Sequence, residues 1–418
     1  MTKGSGLLRG KYAVVGVGET EYSRNSGRTT RSMGAEAIKK AVIDSGLDID
    51  RTSWGAICYQ VNDAASSETI FSDIGMRLDY QLDTWGGGSS SETLIGAAIG
   101  IIEAGLCDAM VVYRTMNGYT EMRIGGTPVG AVAGPPPFVT RHGDDNLHSR
   151  VYGIASALQM FGLSFVRHMY EYGTTPEQLA HVKVAHSKHA SNNPKAYYKQ
   201  RLTVDDVINS RYVVEPFHLL DCCVETDNAT AIVITDVARA RSLPNPLVSI
   251  LGTGGRAHKV APDYHWNYGP ITRVGGFYTK DIVFPNAGVG PEDINITGSY
   301  DAFTFTALLQ LEAYGFCKEG EGGEYVSNGT IELGGKRPNN TSGGHLCEGY
   351  THGMNMVIEN VRQLRGRVDD YCPNGEKGEH SYDYSEGRCR QVRDPQLSMN
   401  LGWAQPPTGS SLIMTNRS

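Results

Sequence analysis

Eight cysteines are the chain's strongest candidates for nucleophiles and metal ligands, because the thiolate serves in both roles. They are Cys58, Cys107, Cys222, Cys223, Cys317, Cys347, Cys372 and Cys389, and no two of them form a C-x-x-C pair. This spacing predicts neither a zinc ribbon nor a small secreted disulfide framework. We expect reduced thiols, and no metal ion bound by Cys372, His380 and Cys389 in the tail.

The run GTGGRAHK at residues 252–259 is a second candidate, because its glycines follow a predicted strand as in a phosphate-binding loop. It fits neither G-x-G-x-x-G nor G-x-x-x-x-G-K-S/T. The run therefore does not predict a nucleotide site of either kind.

The elements that position such residues must come from a large fold. At 418 residues, with 40% hydrophobic and 20% charged residues, the chain is long enough for two cores or two similar halves. Its net charge of -7 is spread along the chain, which argues against nucleic acid as the main partner. No apolar run reaches the roughly 18–20 residues of a membrane span, and the first residues do not resemble a signal peptide. We expect a cytoplasmic enzyme.

Hydrophobic periodicity predicts alternating strands and helices in the first 120 residues. Strands are predicted at YAVVGVG, WGAICYQ and AMVVYRT, and a helix is predicted to stop at Gly46. TLIGAAIGIIEAG is hydrophobic on nearly all sides, which is typical of a buried helix. An insertion at about 115–215, with helices predicted within 153–173 and 175–190, is expected to shape a binding site.

A second, similar half begins near the midpoint. NAGVGPEDINITGSYDAF repeats the order seen in DSGLDIDRTSWGAICY: a helix end at glycine, an acidic turn, then a strand. We therefore predict an N-terminal half over 1–240 and a C-terminal half over 241–418. The polar tail from Arg367 to about Gln396 is predicted to be a surface loop before a last strand at SSLIMTN.

Four motifs occur in the order of the thiolase superfamily. NNTSGGHLCEGYTHG at 339–353 resembles the thiolase segment N-P-S-G-G-x-x-x-x-G-H-P-x-G, and SYDAF at 299–303 resembles the H-D-C-F or N-E-A-F segment before it. HSKHASNNPKAYY and LLDCCVETDNATAIVIT are similar to stretches of the thiolase domain of sterol carrier protein x. The resemblance covers most of residues 10–366 and implies a thiolase fold, with five αβαβα layers from two repeated halves and a long loop insertion.

The cysteine that thiolases acylate is missing, because by resemblance its place falls at Gly88. A hydroxyl of Ser89, Ser90 or Ser91 is one substitute nucleophile, but serine needs an adjacent base and the motif supplies none. Capping of helix amides is the alternative role for these serines. Cys347 is not expected to act as a nucleophile, because the family's catalytic cysteines lie elsewhere.

Two tyrosines stand where thiolases place the groups that flank the reacting thioester. Tyr350 aligns with the histidine of G-H-P, and Tyr300 aligns with the first residue of H-D-C-F or N-E-A-F. A phenol can donate a hydrogen bond to an oxyanion and, if its pKa is lowered from about 10, can act as acid or base. The structural alternative is two buried tyrosines with satisfied hydroxyls.

A lost cysteine combined with these tyrosines resembles the thiolase-like steroid side-chain aldolases. The resemblance implies retro-aldol cleavage of a steroid β-hydroxyacyl-CoA into a 17-keto steroid and propionyl-CoA. No acyl group is transferred, so no covalent nucleophile is required. No cofactor or metal ion is expected, since the coenzyme A thioester is part of the substrate.

Six further residues are candidates for supporting roles. Four of them are candidates for supporting the tyrosines or relaying protons: Asp301, His345, Glu348 and His352. Histidines in glycine-rich loops, however, often have only a structural role. By resemblance, Arg256 and His258 are candidates for holding the coenzyme.

The resemblance also implies partners. A homodimer core is implied, together with a smaller partner protein that has an OB fold and a zinc ribbon, in an α2β2 complex. No nucleic acid or membrane partner is expected. Two other functions stay open: a thiolase-like acyltransferase, which should form an acyl-enzyme, and a non-catalytic acyl-CoA or lipid-binding subunit, which should leave its ligand unchanged.

Overall fold

The computed structural model describes residues 6–60, 64–85, 87–88, 90–120, 152–154, 156–255, 270–368, 389–403 and 408–417. The strands are β1 Tyr12–Glu19, β2 Trp54–Gln60, β3 Tyr80–Trp85, β4 Ala109–Asn117, β5 Tyr212–Val214, β6 Phe217–His218, β7 Asp227–Asp236, β8 Ser249–Gly254, β9 Ile296–Ser299, β10 Leu397–Gly402 and β11 Ser410–Thr415. The helices are α1 Thr30–Ser45, α2 Ser67–Ile74, α3 Ser91–Glu103, α4 Ala157–Tyr172, α5 Pro176–Ser191, α6 Val204–Ile208, α7 Val237–Ala240, α8 Gly276–Ala287, α9 Thr304–Ala313, α10 Gly322–Ser327, α11 Gly344–Cys347 and α12 Met354–Arg365.

Strand order shows that the same unit occurs twice. Nine strands form a mixed sheet in the order β3-β2-β4-β7-β1-β8-β11-β10-β9. In the first set β2 is parallel to β4, and β7 is antiparallel to both β4 and β1. In the second set β9 is parallel to β10, and β11 is antiparallel to both β10 and β8. The sets meet where Tyr12 of β1 lies opposite Ile250 of β8. The domain limits of 1–240 and 241–418 stay a prediction.

Helices complete five layers around these strands. Helices α3 and α12 contact strands of both sets and share one core with residues such as Val14, Ile57 and Leu412. Helix α1 covers the outer face of β1, β4 and β7, while α8 and α9 cover the outer face of the second set. The predicted αβαβα thiolase architecture is confirmed.

Local sequence signals set the ends of the predicted helix at residues 30–45. Thr29 caps its start by accepting a hydrogen bond from the Ser32 amide at 3.1 Å. Gly46 ends it in the left-handed conformation, with φ 70°. The predicted stop at Gly46 is therefore confirmed.

The insertion at about 115–215 consists in its described part mainly of α4 and α5. Their inward residues, such as Phe161, Phe165 and Val182, join the core of the second set of strands. No described helix combines the length and the apolar character that crossing a bilayer requires.

The prediction of a surface loop for the tail is wrong at its described end. Arg390 and Gln391 are each 1% exposed. The Arg390 guanidinium forms an ion pair with Glu359 of α12, and the Gln391 side chain donates to the Gln363 carbonyl at 2.9 Å. These polar residues are buried because helix α12 supplies their hydrogen-bond partners.

Six of the described cysteines are free thiols, whereas Cys389 is disulfide-bonded. The expectation of reduced thiols throughout is wrong at Cys389. No group of three His, Cys, Asp or Glu side chains in the described ranges is arranged to hold a metal ion. Cys372 and His380 lie outside those ranges.

Candidate active site

Tyr300 follows directly after β9, and its backbone is fixed on both sides. Its amide donates to the Leu401 carbonyl of β10 at 2.9 Å, and its carbonyl accepts from the Gln310 side chain of α9 at 2.8 Å. Both contacts come from the C-terminal half. The phenol is 4% exposed, so the backbone aims it into the interior.

Tyr350 lies in the turn between α11 and α12, and residues before and within β7 hold it. Its amide donates to the Thr226 hydroxyl at 3.2 Å, and its carbonyl accepts from the Asn228 side chain at 2.9 Å. The two halves of the fold thus meet at this turn.

The two phenols that the sequence singled out share one buried pocket. Their hydroxyls form a hydrogen bond, and their ring centroids are 6.2 Å apart at an interplanar angle of 70°. Burial raises the pKa of Tyr300 well above its ordinary value, and it does the same to Tyr350. Both are therefore neutral, so the lowered phenol pKa considered from the sequence is wrong.

Gly88, where the resemblance places the thiolase nucleophile, lies against Tyr300. A Cβ atom at Gly88 would be 2.2 Å from both Cε2 and Cζ of the Tyr300 ring, and 2.7 Å from the Trp403 carbonyl oxygen. The phenol ring thus fills the space that a side chain at residue 88 would need.

Ser90 and Ser91, two of the serines after Gly88, make backbone contacts. Ser90 occupies the N-cap of α3, but its hydroxyl accepts from the Gly87 amide at 2.8 Å instead of from a helix amide. Ser91 donates to the His352 carbonyl at 3.0 Å. Ser89 lies outside the described residues.

His345 is packed between the two tyrosines, and of its two nitrogens Nε2 has a hydrogen-bond partner whereas Nδ1 has none among the described residues. Its ring centroid is 4.9 Å from that of Tyr300 and 4.8 Å from that of Tyr350. Nε2 accepts from the Gly353 amide at 3.0 Å, so the proton lies on Nδ1, which is 3.5 Å from an Asp301 oxygen. Burial lowers the pKa of His345 to about 4 although Asp301 opposes this. His345 therefore contacts both phenol rings, and its predicted role as a proton relay stays a prediction.

Asp301 anchors the start of α11. Its oxygens accept from the amides of His345 at 2.8 Å and Leu346 at 3.3 Å. On the other side of the carboxylate, His186 Nδ1 of α5 lies 2.9 Å from Asp301 Oδ2, but the angle does not allow a hydrogen bond. The carboxylate is fully buried, and its predicted support of the tyrosines stays a prediction.

Glu348 organises the loop that carries Tyr350. Its carboxyl accepts from Asn193 at 2.8 Å, Ser342 at 2.6 Å and Asn355 at 2.8 Å. Burial, with nearby Glu19, raises its pKa to about 7. These contacts hold the loop in place and do not reach the phenols.

Of the remaining candidates, Cys347 and His352 lie within the described residues. Burial raises the pKa of the Cys347 thiol to about 11, so it stays protonated and is a poor nucleophile. His352 lies beside Tyr350, with ring centroids 5.1 Å apart. Arg256 and His258 lie outside the described residues.

Sequence reasoning missed two buried basic residues at the site. Arg114 of β4 donates from Nε to His352 Nδ1 at 3.3 Å, and Lys183 of α5 donates to the Leu346 carbonyl at 2.6 Å. Lys183 lies three residues before the motif HSKHASNNPKAYY, in which Asn193 donates to Ser342 and Glu348 of the same loop. A charged residue in an otherwise buried strand was the signal for Arg114.

Comparisons with known proteins identify relatives of this chain. A family model described as thiolase C-terminal domain-like matches residues 279–378. The chain is 36% identical over 371 residues to the 17-hydroxy-3-oxo-4-pregnene-20-carboxyl-CoA lyase of Mycobacterium tuberculosis, covering 86% of this chain and 93% of that protein. It is 35% identical over 375 residues to the steroid side-chain-cleaving aldolase of Thermomonospora curvata, covering 86% and 92%.

A solved structure matches over the whole length. The Ltp2-ChsH2(DUF35) aldolase superimposes with a TM-score of 0.83 at 30% identity, covering 99% of this chain and 100% of that chain. The predicted resemblance is confirmed: this chain is an enzyme of the thiolase superfamily and belongs to the family of the steroid side-chain-cleaving aldolases.

Proposed function

We propose that this chain cleaves a steroid β-hydroxyacyl-CoA by a retro-aldol reaction into a 17-keto steroid and propionyl-CoA, with Tyr300 and Tyr350 as the catalytic pair. The observation that carries the proposal is the hydrogen bond between these two buried hydroxyls. The 36% identical relative is named as a lyase of a 17-hydroxy steroid carboxyl-CoA, which fits such a substrate.

Two neutral phenols in contact can move the proton that the reaction requires. The alcohol proton of the substrate passes to one phenol oxygen as that phenol passes its own proton to the other. The bond between the ring carbon and the α-carbon breaks, its electron pair goes to the thioester as an enolate, and the alcohol becomes a ketone. In the same step the second phenol gives its own proton to the α-carbon, so that neither oxygen holds two protons and each tyrosine ends with one.

The raised pKa values favour this coupled transfer over a free phenolate. Each unit by which the pKa of a phenol exceeds the working pH adds about 1.4 kcal/mol to the free energy of ionising it. Burial raises the pKa of both phenols, so a separate phenolate step is costly. A relay without a free phenolate avoids that cost and needs no cofactor.

The experiment is cleavage of a 17-hydroxy steroid acyl-CoA by Tyr300→Phe and Tyr350→Phe. We expect each variant to lose roughly 10²–10⁴-fold in kcat, the usual contribution of general acid-base catalysis, while keeping its melting temperature within a few degrees. Tyr113→Phe is the matched control, because Tyr113 is also fully buried and its hydroxyl donates to the Ala65 carbonyl at 3.1 Å, away from the pair. Wild-type turnover in both Phe variants would refute the proposal.

Acyl transfer, the alternative considered from the sequence, requires a nucleophile. Gly88 supplies no side chain, and the Cys347 thiol is kept protonated. Incubation with a thioester donor should therefore leave the mass of the protein unchanged, whereas an acyltransferase would gain an acyl group.

We also propose that a homodimer of this chain works with a smaller partner protein that has an OB fold and a zinc ribbon, in an α2β2 complex. The support is that a relative was solved as the Ltp2-ChsH2(DUF35) aldolase. Assays should use the chain co-expressed with such a partner. A cytoplasmic location stays a prediction.

A further inference from the structure

The imidazole of His352 has a defined tautomer. Its Nδ1 accepts from Arg114 Nε at 3.3 Å. A guanidinium only donates hydrogen bonds, so Nδ1 carries no proton and the neutral ring has its proton on Nε2. Burial, reinforced by the Arg114 charge, holds the pKa of His352 well below its usual value. His352 is therefore a neutral Nε2–H donor.

The backbone of His352 is held in an unusual conformation. Its φ is 58°, a left-handed value that non-glycine residues rarely adopt. The Ser91 hydroxyl donates to its carbonyl at 3.0 Å, and the Tyr59 hydroxyl lies 3.2 Å from the neighbouring Thr351 carbonyl. Backbone strain of this kind is typical of functional positions when buried hydrogen bonds from another part of the fold maintain it.

The position of the ring relates this donor to the reaction. The ring of His352 is 3% exposed and meets the Tyr350 ring edge-on, with centroids 5.1 Å apart at 72°. Within the described part of the chain, Nε2 donates to no acceptor. It is left to donate to a bound molecule beside the catalytic pair.

The proposed reaction needs such a donor. Tyr300 and Tyr350 account for the proton that moves from the alcohol to the α-carbon, but the thioester oxygen gains negative charge while the bond breaks. A fixed donor at that oxygen stabilises the charge most when it is buried and already oriented. A neutral imidazole suits this role because it donates a hydrogen bond without releasing its proton.

We propose that His352 is a further catalytic residue, whose Nε2–H donates a hydrogen bond to the thioester oxygen of the bound acyl-CoA as the enolate forms. This inference rests on the proposed retro-aldol function. Arg114 acts as a positioning residue, because it fixes the tautomer of His352 and does not reach the substrate through that contact.

The test compares His352→Gln with His352→Met in the complex with the partner protein. Glutamine carries an N–H donor at about the reach of Nε2, whereas methionine has a similar length and no donor. We expect His352→Met to lose roughly 10²–10³-fold in kcat, the usual effect of removing one oxyanion donor, and His352→Gln to recover at least about tenfold of this loss. Both variants carry the same backbone strain, so similar melting temperatures make them a matched pair. Equal kcat values for the two variants would overturn the inference.

A binding measurement separates this inference from the proposed function. Propionyl-CoA labelled with ¹³C at its thioester carbonyl is bound to each protein, and the carbonyl stretch is recorded by difference infrared spectroscopy. The band should move to lower frequency on wild type and His352→Gln but not on His352→Met. An identical shift in all three overturns the role of His352, whereas a wild-type complex that shows the shift yet cleaves no steroid acyl-CoA overturns the function instead.

Discussion

Replacing Gly88 by alanine places one methyl group where the ring of Tyr300 lies. The added carbon would be 2.2 Å from two atoms of that ring, and ordinary contacts of this kind are 3.4–4 Å. The Trp403 carbonyl oxygen, 2.7 Å from the same carbon, blocks movement of the methyl group to the other side. The ring must therefore move by about 1 Å or more, away from Gly88.

A movement of this size separates Tyr300 from the Tyr350 hydroxyl. Misplacement of a catalytic group by about 1 Å can cost roughly 10²-fold in rate, so we expect Gly88→Ala to lose about that much in kcat/KM. Overpacking of a dense core typically costs about 1–3 kcal/mol of unfolding free energy, so the variant should still fold.

The assay is ring-ketone release from a 17-hydroxy steroid acyl-CoA, with the melting temperature measured alongside. Gly100→Ala is the control, because it lies in the same helix α3 and a Cβ there meets nothing within 4 Å. That variant should keep its activity and gain roughly 0.5–1 kcal/mol of stability. In a Tyr300→Phe background, adding Gly88→Ala should cost little further activity, since both changes act on one hydroxyl. A full additional 10²-fold loss there, or wild-type turnover of Gly88→Ala alone, would refute the reasoning.

Two further predictions concern buried carboxyl groups. Burial raises the pKa of Glu92 to about 7, so between about pH 4.5 and pH 7 the folded chain holds a proton that the unfolded chain has released. Stability therefore falls as the pH rises, and between pH 5 and pH 8 the melting temperature of wild type should fall by more than that of Glu92→Gln. Calorimetry measures both, and equal decreases would contradict the shift. Arg390→Met leaves the Glu359 carboxylate buried without its ion pair, which should lower the unfolding free energy by about 3–5 kcal/mol in denaturant unfolding. Arg393 is exposed, so the control Arg393→Met should change the unfolding free energy by less than about 0.5 kcal/mol.

The sequence predicted those elements of the fold whose periodicity is strong. Strands such as β1 and β4, buried along their whole length, and helix α3 follow from hydrophobic pattern alone. Helix α2 and strand β3 were missed because α2 has only eight residues and β3 is an edge strand of mixed polar and apolar residues. The second set of strands was predicted only faintly, since a repeated topology does not require a repeated sequence.

At the site, alignment with the family predicted which residues meet, but it did not predict their ionisation. Tyr300 and Tyr350 are fifty residues apart in sequence, and their contact depends on β9, α12 and the start of β7. The direction of their pKa shifts depends on burial, which no motif reports. Likewise, nothing in the sequence around His352 shows that Arg114 fixes its tautomer, because that contact joins the two halves.

The contact between Gly88 and Tyr300 means that one pocket cannot hold both chemistries. A cysteine at residue 88 and a phenol at residue 300 would occupy the same volume, since even a bare Cβ at Gly88 overlaps the ring. Gly88→Cys alone should therefore not restore acyl transfer, because the new side chain displaces Tyr300 instead of reaching a thioester. A nucleophile becomes sterically possible only when residue 300 shrinks as well, and that change removes one member of the phenol pair. In the proposed mechanism, therefore, the phenol of Tyr300 occupies the space that a nucleophile at residue 88 would need.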